Sequence, residues 1–248
     1  MPALRSHAHR LLAVIAGAVL VSCDPAAQPS YLGDPLLTLR GQVMSSGPID
    51  APLEAAMLWQ RGPPPSTNDQ ELATRAPVQS GFPATFTLHL YQPPPAAAVR
   101  SLLPGQVTYA RANAAAIPYG IAAAAGAPVA TPPSNPSYAL DPNHWVMYLP
   151  ADAPAGSLME WWLGGSLPAG FHLLRVAPAN PACMTGAVLD ACVADLVHRG
   201  VTDDGTAEVG TARYFCLQPY RLSVAPANEQ IVLVLSGPAS GATGPCPP

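Results

Sequence analysis

Alternation of apolar and polar residues sets in at Leu37, where Leu37, Leu39 and Val43 interleave with Thr38, Arg40 and Gln42. That period predicts a half-buried strand, and Gly41 in its inner row predicts a bulge or a close approach by a neighbour. The cleanest period-two stretch sets Phe86, Leu88 and Leu90 against Thr85, Thr87, His89 and Tyr91, which turns His89 away from the core. Further strands are predicted over Glu54 to Gln60, Val107 to Ala112, Ile117 to Ala122, His144 to Leu149 and Leu158 to Leu163. Four more fall at Phe171 to Val176, Tyr214 to Leu217, Tyr220 to Val224 and Ile231 to Leu235. The last is an unbroken apolar run and predicts a central strand covered on both faces. One short helix is predicted within Ala187 to Arg199, where Val188, Leu189, Cys192, Val193, Leu196 and Val197 recur at helical spacing. Gly62 to Ala76, Gln92 to Pro104 and Gly126 to Pro142 read as loops, two of them carrying three consecutive prolines. Short strands between proline and glycine turns predict a mostly β fold, an antiparallel β-sandwich with long Pro-rich loops and at most that one helix.

Composition sharpens this picture in two ways. The 32 prolines and 20 glycines are about a fifth of the 248 residues, below the roughly 25–30% at which composition alone implies disorder. Once the first 22 residues are set aside, nine arginines face fifteen acidic residues, a formal charge of −6. A chain of that charge lacks the basic footprint of a nucleic-acid binder, and it has no basic face for anionic lipid either. Membrane attachment must then come from a lipid anchor.

The first residues supply one. Arg5 and Arg10 precede Leu11 to Val21, eleven residues without a charge. As a helix this run spans only ~16 Å, half of a ~30 Å hydrocarbon core, so it predicts an export signal and not a permanent span. It ends in Leu20-Val21-Ser22-Cys23, which closely resembles the lipobox of bacterial lipoproteins. That resemblance implies diacylglycerol on the Cys23 thiol, cleavage after Ser22 and acylation of the new amino terminus. The expected organisation is a signal peptide at 1–22, a lipidated cysteine and flexible tether at 23–35, and a single sandwich-type domain at 36–248. The expected location is the cell envelope, on the outer or inner membrane, facing periplasm or exterior.

Cys183, Cys192, Cys216 and Cys246 complete the cysteine inventory. An even number in an exported chain predicts two disulfides, and the shorter loops favour Cys183 with Cys192 and Cys216 with Cys246, the second pinning the tail. Zinc is disfavoured because paired C-x₂-C spacing is missing and no two histidines stand in an H-E-x-x-H frame. Asp203-Asp204-Gly205 lacks the alternating oxygen ligands of a calcium loop and reads as a turn. In Gly164-Gly165-Ser166-Leu167-Pro168, proline replaces the second glycine of a nucleophile elbow. No cofactor is implied. Trp161 and Trp162 would point to opposite faces of a strand, leaving one exposed as a possible ligand platform for sugar or peptide. His144 and His172, at strand starts beside Trp145 and Phe171, read as edge or surface residues.

Leu39-x-Gly41-x-Val43, followed by a loop and Ala56-Met57-Leu58-Trp59, resembles the first hairpin of transthyretin-like or carboxypeptidase-regulatory-like sandwiches, within the wider immunoglobulin-like architecture. The lipobox, the Pro/Ala-rich loops and the late cysteines together are similar to lipoproteins of myxobacterial type, a class that implies a location and no defined activity. The expected function is a membrane-anchored structural or binding module of the envelope, with an envelope protein or glycan as partner. The alternative is a cell-envelope hydrolase whose loop-built site would draw on Asp141, His144, Glu160 and His172.

Overall fold

The structure is a computed structural model and describes residues 32–49, 52–61, 70–78, 81–101, 108–121, 124–129, 137–153, 158–163, 165–178, 185–200, 212–217 and 220–235. Asp34–Pro248 forms one compact unit. Its strands are β1 (Leu37–Ser45), β2 (Leu53–Gln60), β3 (Gln70–Pro77), β4 (Ala84–Leu90), β5 (Arg100–Ser101) and β6 (Thr108–Pro118), then β7 (Pro128–Val129), β8 (Ala139–Leu140) and β9 (His144–Leu149). After α1 (Leu158–Leu163) come β10 (Gly170–Pro178), α2 (Gly186–His198), α3 (Ala212–Cys216), β11 (Tyr220–Val224) and β12 (Ile231–Leu235).

Among the described residues these strands form two sheets, a small one ordered β12-β1-β4 and a larger one ordered β11-β10-β9-β6-β2-β3-β7, with β5 and β8 also paired to β6. The chain is a mostly β protein whose two sheets pack as a sandwich. Leu39, Val43, Phe86, Leu88, Ile231 and Leu233 from the small sheet meet Met57, Trp59, Val146 and a row of alanines on β6 in one buried cluster. The row runs Ala110, Ala112, Ala114 and Ala116. Alanine is a poor strand former, but here its small volume admits the bulky side chains of the facing sheet. The larger sheet is buried on its other face too. At one end Ala56, Leu58, Leu72 and Ile117 form a second cluster; at the other, Trp145, Met147 and Leu174 pack under Met159, Trp162 and Leu196 of the helices. All eight residues of β2 are consequently buried.

Gly41 meets the close approach that its inner position predicts. A Cβ there would collide with the Ile231 carbonyl oxygen and sit 2.6 Å from Phe86 Cζ, so only glycine lets β12 and the Phe86 ring close over β1. The predicted helix is also present as α2, burying Leu196 and packing Leu189, Cys192 and Val193 on one stripe.

Several expectations are corrected. β12 is not central: it pairs with β1 alone among the described residues, in parallel and not antiparallel, and Val234 is exposed. Leu158–Leu163 is helical because Met159, Trp162 and Leu163 bury together at spacings of three and four, a stripe that a six-residue apolar run does not separate from strand. Within the Tyr214 to Leu217 segment, residues 214–216 belong to α3; Ala212 and Cys216, four apart, face the core. The two strands expected at Val107 to Ala112 and Ile117 to Ala122 are one, β6. The expected loops also hold strands: β3 pairs with β2 from Gln70 to Pro77, β5 falls in the second, and β7 and β8 lie in the third. Cys192 bonds to Cys216 with Cα atoms 6.1 Å apart, which rules out both expected pairings and ties α2 to α3. Cys23, Cys183 and Cys246 lie outside the described residues, as do Asp203-Asp204-Gly205 and the Trp161 side chain.

Candidate functional site

A densely bonded polar group forms where β8 turns into β9. Asp141 Oδ1 accepts the Asn143 backbone N–H at 2.8 Å, an Asx-type turn. The Asp141 N–H donates to the Ala114 carbonyl at 2.8 Å, and the Asn113 carboxamide donates to the Asp141 and His144 carbonyls at 3.3 Å each. β6 therefore holds the turn rigidly. The turn aims Asp141 Oδ2 at His144 Nδ1, 2.8 Å away, with Asp141 1% and His144 9% exposed. His144 is thus buried, contrary to its expected place at an edge or surface: β10 pairs with it on one side, and the turn between β11 and β12 brings a carboxylate to its ring.

From that turn between β11 and β12, Glu229 Oε1 reaches His144 Nε2 at 3.0 Å. Arg175, the register partner of His144 on β10, donates from Nε to Glu229 Oε1 at 2.9 Å and from Nη2 to Oε2. The result is a chain of alternating charge, Asp141, His144, Glu229 and Arg175. A carboxylate only accepts hydrogen bonds, so an imidazole with one on each nitrogen satisfies both as the doubly protonated cation. The hydrogen bond to Asp141 raises the His144 pKa above 6.5 against the opposing effect of burial, with Glu229 adding to the rise. Arg175 first, then His144, hold the Glu229 carboxyl down to about 2, and Glu229 in turn raises Arg175.

General-base catalysis needs a ring nitrogen facing substrate. In His144 both are committed to carboxylates. Ser223 shares the row, as the register partner of Arg175 on β11, but two strand spacings put its backbone about 10 Å from that of His144. Of the four hydrolase candidates, the structure unites Asp141 with His144. Glu160 sits on α1, which covers the opposite face of the sheet, and His172 Nε2 donates to the Pro168 carbonyl at 2.7 Å. Glu229 and Arg175 gave no local sequence signal: Glu229 lies 85 residues from His144, and only strand register brings Arg175 alongside.

Trp162 packs edge-on to Tyr109 and Trp145, with ring centroids 6.0 and 6.1 Å away, and is 9% exposed. The Arg111 guanidinium covers the Trp145 ring at 4.2 Å. Trp162 is therefore an aromatic core residue. A cleft of about 190 Å³ opens at one mouth of the sandwich, below the ~300–1,000 Å³ usual for ligand pockets. Trp59 and Leu72 line it but are 2% and 1% exposed, and its carboxylate, Glu71, already pairs with Arg61 at 3.6 Å. Among the described residues no cluster of three or more His, Cys, Asp or Glu could hold a metal ion.

No family model matches the chain, and neither does any curated protein or solved structure.

Proposed function

We propose that this protein is an envelope lipoprotein, anchored through Cys23, whose β-sandwich is a non-catalytic structural or binding module. The observation that carries the non-catalytic reading is the closure of His144, whose two ring nitrogens are bonded to Asp141 and Glu229. The anchor rests on the resemblance of Leu20-Val21-Ser22-Cys23 to a lipobox. Two or more acyl chains, each buried CH₂ contributing ~0.8 kcal/mol, hold a protein of this charge on a membrane without a basic face.

An envelope protein or glycan is the proposed partner. The outer face of the small sheet supports this reading: Arg40, Thr85 and Thr87 point outward, with Thr38 and His89 bonded to each other at 3.1 Å alongside, next to the exposed register pair Met44 and Val234. A mixed polar and apolar face of this kind suits a broad contact.

Metabolic labelling with an alkyne fatty acid tests the anchor: the native chain takes up label and Cys23→Ala does not. The non-catalytic reading is tested with ester, amide and glycoside substrates. Turnover by the native chain that disappears in His144→Gln would replace it with the hydrolase alternative.

A further inference from the structure

We propose that Asp141, His144, Glu229 and Arg175 form a proton-operated clamp, which seats the turn between β11 and β12 against the larger sheet while the imidazole is charged and releases it when the imidazole becomes neutral. The argument is one of donors and acceptors. Charged, the ring donates from Nδ1 to Asp141 at 2.8 Å and from Nε2 to Glu229 at 3.0 Å. Neutral, it keeps one N–H. That proton stays on Nδ1, because the Asp141 side chain is fully buried and has no water to replace the ring, whereas the Glu229 side chain is 15% exposed. The Nε2 lone pair then faces a carboxylate oxygen, and acceptor meets acceptor. Glu229 is the partner that withdraws, rotating outward with Arg175, whose side chain is 51% exposed.

The surroundings put this step under the control of one group. The β8–β9 turn contributes Asp141, the β11–β12 turn Glu229, and β10 Arg175 behind Glu229. On the His144 face β6 presents Ala112 and Ala114; its Asn113 and Arg111 stand on the other face, where Asn113 reaches only the backbone carbonyls of Asp141 and His144 and Arg111 lies over Trp145. His172, the register partner of Met147, lies on that opposite face as well.

Glu229 stands two residues before β12, and β12 closes over Gly41 of β1, so the clamp bears on the seating of the last strand of the small sheet. Because His144 is raised above 6.5 in the folded chain, the contact is complete below that pH and is lost as pH rises through the folded value.

Amide hydrogen exchange of the full chain, corrected for intrinsic rates across the pH range, tests the clamp alongside the ¹⁵N shifts of the His144 ring. The readout is the turn itself, where the Ala225 N–H donates to the Leu173 carbonyl and the Glu229 N–H to the Pro226 carbonyl. Protection of these amides is expected to fall about ten- to a hundredfold as the ring titrates, the worth of one charge-assisted hydrogen bond. Glu229→Gln should flatten the profile, since a carboxamide accepts from the charged ring and donates to the neutral one. A ring that titrates at or below 6.5, turn protection that ignores the titration, or a Glu229→Gln profile with the native midpoint would each overturn the proposal; the first two need no variant.

Discussion

Gly41→Ala adds one carbon at the most tightly enclosed glycine among the described residues. The new Cβ would meet the Ile231 carbonyl oxygen at well under contact distance, Phe86 Cζ at 2.6 Å and Phe86 Cε1 at 2.9 Å. Phe86 is 5% exposed and fixed within the core, and the carbonyl belongs to the backbone of β12, so neither can yield by turning a surface rotamer. Overpacking of a close-packed core costs about 1–3 kcal/mol, and the backbone clash puts this case at the upper end. For a chain of this length, each kcal/mol lowers Tm by about 2–4 °C, so thermal unfolding of the purified chain followed by circular dichroism should show a loss of roughly 6–12 °C. Gly47→Ala is the internal control, because a Cβ there meets nothing within 4 Å; its effect should stay within about 0.5 kcal/mol. Adding Phe86→Leu to Gly41→Ala should recover part of the loss but not all, since the Ile231 carbonyl remains. A Gly41→Ala protein as stable as the native one, or a Gly47→Ala protein equally damaged, would refute the packing argument.

Peptide mapping without reduction should recover Cys192 joined to Cys216, and replacing both with alanine should cost about 3.4 kcal/mol in denaturant unfolding by the chain-entropy relation for a separation of 24 residues; recovery of a peptide joining Cys183 to Cys192 would contradict the α2–α3 staple. His144→Ala leaves the buried Asp141 carboxylate without its cation and should cost about 3–5 kcal/mol at neutral pH, against about 0.5 kcal/mol or less for the exposed His89→Ala; equal losses in the two would show that the polar chain does not matter to stability.

What the sequence revealed depended on whether one face of an element met solvent. β4 alternates buried and exposed without a break, so its period was visible and His89 was correctly turned outward. β2 is buried on both faces and β6 nearly so, and in β6 the alanines that fit the facing sheet carry no strand signature, so one long strand read as two short ones. β3 was hidden for the opposite reason: Gln70 and Leu72 are its buried positions, with Thr74 and Arg75 beyond them, and pairing with β2 supplies what propensity does not. The parallel placement of β12 beside β1 is a long-range choice that no local pattern encodes. At the polar chain, the loop expected over Gly126 to Pro142 did not disclose the Asx-type turn that brings Asp141 to His144; Arg175 and Glu229 arrive through register and through a turn late in the chain. The Cys192–Cys216 bond likewise follows from α2 packing beside α3, not from loop length.

Intact mass and membrane fractionation of the native protein beside Cys23→Ala test the central claim most directly. The account predicts that the native chain begins at Cys23, carries acyl mass and sediments with membranes, while the variant carries no acyl mass and leaves the membrane fraction. Native protein that is soluble, unlipidated or still joined to residues 1–22 would contradict it.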